Sequence, residues 1–268
     1  NCRMKKILLI AFAYLLSHIL AAQVSEGGLP ASFKTSGIKS STTVPSYRLS
    51  GLDNEAIEKN LDMNSLPLRY ALLEDVRVDI RKQGKRTDLE DGSSYWQYRI
   101  NSTGGKSVQV IFRKFLVPEG ARLFLYNEDY SEIRGAFTDY NITENLLFVT
   151  GDFPGSHVII EYYEPSDAPF EGEVLIGSVG QAYIDILNPE SGNIDSEGYI
   201  GINCDEGMPL QNEKHSVCRY TFNDGTYSYL CSGALINNAG QSVRPYFLTA
   251  AHCISTAEAA ATIVAYFN

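Results

Sequence analysis

The chain has 268 residues, enough for one large domain or two ordinary ones. It is 44% hydrophobic, with 17 Tyr and 12 Phe, which supplies a substantial core. A formal net charge of −10 argues against nucleic acid and anionic membrane as partners, since both select basic patches. The acidic surface itself implies solubility and no particular substrate.

The first element is a leader. The opening NCRMKKILLIAFAYLLSHILAAQ places Arg3, Lys5 and Lys6 before an apolar run from Ile7 to Leu16, with Ala21 and Ala22 behind it. Such a run is too short to span a bilayer and reads as a secretory signal peptide over 1–22, cut after Ala22. Met4 reads as the initiator, which leaves Asn1, Cys2 and Arg3 as a short upstream extension. No other segment is apolar and long enough to span a membrane. The mature protein is expected to be secreted or periplasmic and free of the membrane. Export places cysteines in an oxidising compartment. After loss of Cys2 the remaining four, Cys204, Cys218, Cys231 and Cys253, all lie in the last quarter of the chain. That shift marks a domain boundary.

Residues 23–75 read as a lead-in. The stretch 23–50 is rich in Ser, Gly, Thr and Pro. A short helix follows within 50–62, where Ser50 and Asp53 can cap and Ile57 and Leu61 share a face. From Val76 the period falls to two. VRVDI (76–80), YWQYRI (95–100), VQVIF (108–112), ARLFLY (121–126), LLFVT (146–150) and HVIIEYY (157–163) are separated by turn clusters such as STGGK, PEG and DFPG. Short strands without helices between them predict an antiparallel β-sandwich over 76–187. From Gly135 to Glu213 there is no Lys or Arg, against 15 Asp and Glu.

Residues 188–200 are Gly-, Asn- and Ser-rich and read as a linker. Beyond it, SVCRYTF, YSYLCSGALINN and RPYFLTAAHC are again short strands, with turns at NDGT and NNAG. The whole chain is therefore expected to be all-β. Cys231 and Cys253 sit at the ends of two of these strands. A bridge between them would stabilise the chain by roughly 3 kcal/mol and would pin the strand end that carries His252. On residue type alone His252 is either a structural histidine or a general base. A metal site is not expected: there is no CxxC and no HxxxH, and the chain has only four His. No cofactor is implied.

The pair CSGALI and YFLTAAHC resembles trypsin-like serine endopeptidases, where Thr-Ala-Ala-His-Cys surrounds the catalytic histidine. The resemblance is closer to secreted bacterial lysyl endopeptidase-like proteases. It rests on Cys231, Gly233, Leu235, Asn237, Asn238, Tyr246, Phe247, Leu248, Thr249, Ala250, His252 and Cys253. INCDEG (202–207) resembles the opening of those catalytic domains, and ATIVAYFN (261–268) resembles the strand after the histidine. The similarity spans about 201–268. It implies that this segment is the first part of a trypsin-like β-barrel, truncated, and that the sandwich is a pro-region. It also implies that His252 takes a proton from a serine hydroxyl and returns it to the leaving amine, oriented by an aspartate that also accepts N–H bonds near Ala251 and His252. Substrates would be proteins or peptides.

In those relatives the aspartate and the serine follow the histidine. Here only Ser255 and Glu258 do, and there is no Gly-Asp-Ser-Gly-Gly. The expectation is therefore an N-terminal fragment of a precursor, inactive by itself, with Cys204 paired beyond residue 268. Cys218 has no counterpart. The family's maturation cut would fall near 195–203, where no Lys or Arg is present and Glu197 is a possible site for an enzyme of other preference. Two other readings of the same chain stay open: an exported sandwich that binds a ligand and carries a degenerate, non-catalytic protease-like tail, and a structural or adhesin-type exported protein.

Overall fold

The computed structural model describes residues 25–35, 44–62, 65–188, 209–240 and 244–267. The leader, most of the linker and the Cys204 segment lie outside the described residues. No helix among the described residues is long and apolar enough to cross a membrane. The chain is all-β.

The described elements are α1 (Ala31–Thr35), β1 (Ser46–Arg48), α2 (Asn54–Asn60), β2 (Leu68–Asp79), α3 (Ile80–Gln83), β3 (Lys85–Asp88), β4 (Ser94–Asn101), β5 (Ser107–Leu116), β6 (Arg122–Tyr126) and β7 (Ile133–Phe137). They continue with β8 (Phe148–Val149), β9 (Phe153–Pro154), β10 (His157–Glu164), β11 (Glu173–Ala182), α4 (Gln211–Lys214), β12 (Val217–Asn223), β13 (Tyr227–Ile236), β14 (Tyr246–Leu248), α5 (Ala257–Ala260) and β15 (Val264–Phe267). Asp53 caps α2 by accepting from the Ala56 amide at 3.0 Å.

Two sheets face each other. The first has the order β1-β4-β10-β6-β7, with β3 beside β1 on the same edge of β4. The second runs β15-β12-β13-β2-β11-β5-β8. Strand alternation makes the core between them. Trp96, Tyr98 and Ile100 of β4 and Val158, Ile160 and Tyr162 of β10 point in from one side. Val108, Val110 and Phe112 of β5 and Val174, Ile176 and Val179 of β11 point in from the other. This is the period-two pattern expected of a sheet with one face on the core.

Several features differ from the sequence expectation. The strand expected from Val76 begins at Leu68, so the sandwich takes in part of the lead-in, and β1 adds a parallel pairing to β4. Strand β11, at the centre of the second sheet, carries no clean alternation because its register shifts between Ile176 and Ser178, around Gly177. The strands after the linker do not start a separate sheet. They continue the sandwich's second sheet through β13 and β2, where Tyr227 lies opposite Leu72 and Leu230 opposite Leu68. That sheet curls until Val264 of β15 packs with Ile111 of β5 and Val149 of β8.

The outer face of the first sheet is covered by residues 25–35. The amide of Glu26 donates to the Ala136 carbonyl (3.0 Å), and the Ala136 amide donates to the Gly27 carbonyl (3.1 Å). At the start of α1, the Ser32 amide donates to Oε1 of Glu161 at 3.1 Å. The other oxygen of Glu161 accepts from the Tyr126 hydroxyl at 2.7 Å. Glu161 is fully buried, and burial raises its carboxyl above the ordinary glutamate value despite those donors. The folded state therefore holds this proton more tightly than the unfolded chain does. The stability so contributed is complete at pH below the unfolded value and is lost as pH rises through the raised value. Glu161→Gln is expected to flatten that slope. Urea unfolding of both proteins between about pH 4 and 7 checks it; parallel pH profiles would refute the assignment.

Candidate active site at the end of β14

The segment around His252 is built from β12, β13 and β14. Strand β13 pairs with β12 along one edge, from Ser228 to Ala234. Its other edge is divided: β2 takes Tyr227–Leu230, and β14 takes Ala234–Ile236. Strand β14 is only three residues long, and side chains fix it more than its ladder does. The tip of the Phe247 ring abuts Gly233, where a Cβ would stand 2.3 Å from Phe247 Cζ. The same ring meets Tyr220 edge-on at 5.4 Å between centroids. The Tyr220 and Thr249 hydroxyls are 2.7 Å apart, and Thr249 Oγ1 donates to the Ser232 carbonyl at 3.2 Å.

After Thr249 the chain turns. The amides of Cys253 and Ile254 both donate to the Ala250 carbonyl, at 3.0 and 3.3 Å. This turn directs Cys253 inward and leaves His252 exposed. Cys253 is bonded to Cys231 of β13 with their Cα atoms 6.5 Å apart, within the usual span of a disulfide. Cys218 is buried and unbonded. The sulfurs of Cys231 and Cys253 lie within 4.8 Å of a ring nitrogen of His252, but they are joined to each other and offer no thiolate to a metal.

His252 lines a cleft of about 750 Å³. On its own side the cleft is walled by Phe222–Gly225, Tyr229 and the stretch 255–262. The opposite wall comes from the sandwich: Pro67, Arg113, Asn145 and Leu147. No local pattern marks these four residues, because they reach the cleft only through the β2–β13 pairing. Ser255 and Glu258 also line the cleft. Neither is hydrogen-bonded to His252 among the described residues. Both belong to the entry of α5, where Thr256 Oγ1 accepts from the Ala259 amide at 3.2 Å. The remaining described histidines sit elsewhere, His157 at the start of β10 and His215 just after α4.

An exposed imidazole at a bridged strand end, facing a cleft on an all-β scaffold, is an arrangement able to hold a general base. Residues 193–268 match the family model for lysyl endopeptidase, C-terminal domain, under a third of the chain. The match takes in β12 to β15 with His252, Cys231 and Cys253, so this segment is related to a protease domain. No solved structure matches the chain.

The Gly233–Phe247 contact makes a specific demand. Gly233→Ala is expected to push Phe247 off β13 and to destabilise the protein by about 1–3 kcal/mol, as overpacking does. Chemical denaturation of the oxidised protein measures it, and an unchanged midpoint would contradict the packing described.

Proposed function

We infer that this chain belongs to the precursor of an exported serine endopeptidase, with His252 as the general base and the sandwich as pro-region. The family match over 193–268, which takes in the turn that exposes His252, carries this reading. The imidazole would take the proton of a serine hydroxyl during attack on a peptide carbonyl and deliver it to the departing amine. An aspartate would hold the other ring nitrogen. Neither Ser255 nor Glu258 is assigned these roles, since both are exposed and neither is hydrogen-bonded to His252 among the described residues. The serine and the aspartate are assigned to residues other than those described. Exposed apolar side chains on β13 and β14 (Leu235, Ile236, Tyr246, Leu248) fit a surface that further chain covers. The Cys231–Cys253 bridge would hold the histidine in place by fixing the residue next to it.

His252→Ala in the full-length gene product is expected to lower kcat by roughly four to six orders of magnitude. The unfolding midpoint should stay where it is, because the ring is exposed. Full activity in that variant would remove the assignment, and would leave the sandwich as a binding module with a protease-like tail.

Maturation follows from charge. If the enzyme cuts after lysine, as the name of the matching family states, it cannot release itself within 135–213, where no Lys or Arg occurs. The junction would be cut by another protease, or by this one with a different preference, for which Glu197 is a site. N-terminal sequencing of the secreted enzyme should find a start between about 195 and 203. A start just after Arg134, or at Ser216 or later, would refute that placement.

A further inference from the structure

Gln109 and Ile111 of β5 lie on the outer face of the sandwich's second sheet, where bare sheet would otherwise meet water. Both are buried, and what buries them is the segment after the linker. The Ser228 hydroxyl donates to Oε1 of Gln109 at 3.3 Å, and Ile111 packs with Val264.

Asp152 stands at the centre of the contact and is 1% exposed. It follows β8 in the sandwich. Its carboxylate accepts from the Tyr70 hydroxyl (2.8 Å) and the Ser107 hydroxyl (2.9 Å), both sandwich residues. The third donor is Tyr266 of β15, at 3.3 Å, and the same hydroxyl accepts from the Asp152 amide at 3.0 Å. Arg134 closes the other side by donating to the Asp152 carbonyl at 2.8 Å. One hydroxyl from the C-terminal segment thus satisfies both a buried carboxylate oxygen and a buried amide of the sandwich.

We propose that cutting the linker does not release the sandwich: the C-terminal segment stays bound to it, seated by β13 on the edge of β2 and by Tyr266 on Asp152. Separation would strip four residues of β13, Tyr227–Leu230, of their ladder partner. It would bare the apolar contact of Ile111, Val149 and Val264, and leave the Asp152 amide without an acceptor. Addition of a strand to an open edge, with side chains seated beside it, is a recurrent way for one chain to hold another. Here both partners come from one chain. The inference stands on the interface and is independent of whether His252 is catalytic.

The test uses the whole chain with a site-specific protease sequence inserted between residues 189 and 200. After complete cutting, the two pieces are expected to co-elute on size exclusion and to fly as one complex in native mass spectrometry at low micromolar concentration. Tyr266→Phe and Asp152→Asn should each weaken the association roughly tenfold or more, the range for hydrogen bonds to a charged group. Tyr140→Phe serves as control, because that ring is 78% exposed on the sandwich surface. Pieces that separate at tens of micromolar would overturn the proposal. So would a Tyr266→Phe complex as tight as the Tyr140→Phe one. If a variant does not fold after cutting, amide exchange in the uncut protein answers instead. Residues 227–230 should be protected like β2 in the wild type and lose protection in Tyr266→Phe. Free exchange at 227–230 beside a protected β2 would overturn the proposal as well.

Discussion

The edge of β13 is the constraint on which the rest of the structure depends. A strand in mid-sheet needs partners on both sides, and β13 has ten residues to satisfy. Its own β14 covers only three. The sandwich's β2 covers the open half, and from that one pairing the other contacts follow. It brings β15 over β5 and β8, seats Tyr266 on Asp152, and places Pro67, Arg113, Asn145 and Leu147 across the cleft from His252. The two parts of the chain, distinct in cysteine content, thus share one hydrogen-bonded sheet.

Two buried carboxylates mark where added segments are held. Glu161 receives the N-terminal segment on one sheet, and Asp152 receives the C-terminal segment on the other. In each case burial pushes the carboxyl up, while tyrosine and serine donors pull it down. A buried carboxylate is tolerable only when donors meet it, so each site discriminates strongly between the docked and undocked segment. The apolar core sets the sandwich. These polar seats decide what may lie against its outer faces.

Much of this was legible in the sequence, for a physical reason. In β4 and the start of β5 apolar residues face the core and polar ones stand between them, so the period of two is visible, whereas β6 and β10 are buried on both faces and read as short apolar runs. His252 and the Cys231–Cys253 pair were visible because their residues lie close in sequence and resemble a known element. β11 was hidden by its bulge at Gly177 and by the glycine at 180. β3 (KRTD) has no apolar residue at all and is a strand only because β4 offers an edge. The linkage of β13 to β2 was out of reach. It joins residues more than 150 positions apart, and nothing local in Leu68–Leu72 distinguishes that edge from another. Glu161 and Asp152 read as ordinary acids in an acidic stretch, since burial leaves no mark on the residue itself.

The register of β12 on β13 also governs which sulfurs can meet. Cys218 stands opposite Gly233, and Cys231 stands opposite Tyr220, so the two cysteines lie on one face, offset by two residues. A slip of two residues preserves every inward and outward direction, and would bring Cys218 directly opposite Cys231. The sulfur that should join Cys253 would then have a nearer partner, and the turn carrying His252 would lose its tether. Tyr220 stands against that slip, with its ring on Phe247 and its hydroxyl on Thr249. Tyr220, cross-strand to Cys231 and packed in one cluster with Cys218 and Cys253, thereby helps to hold the register in which Cys231 meets Cys253.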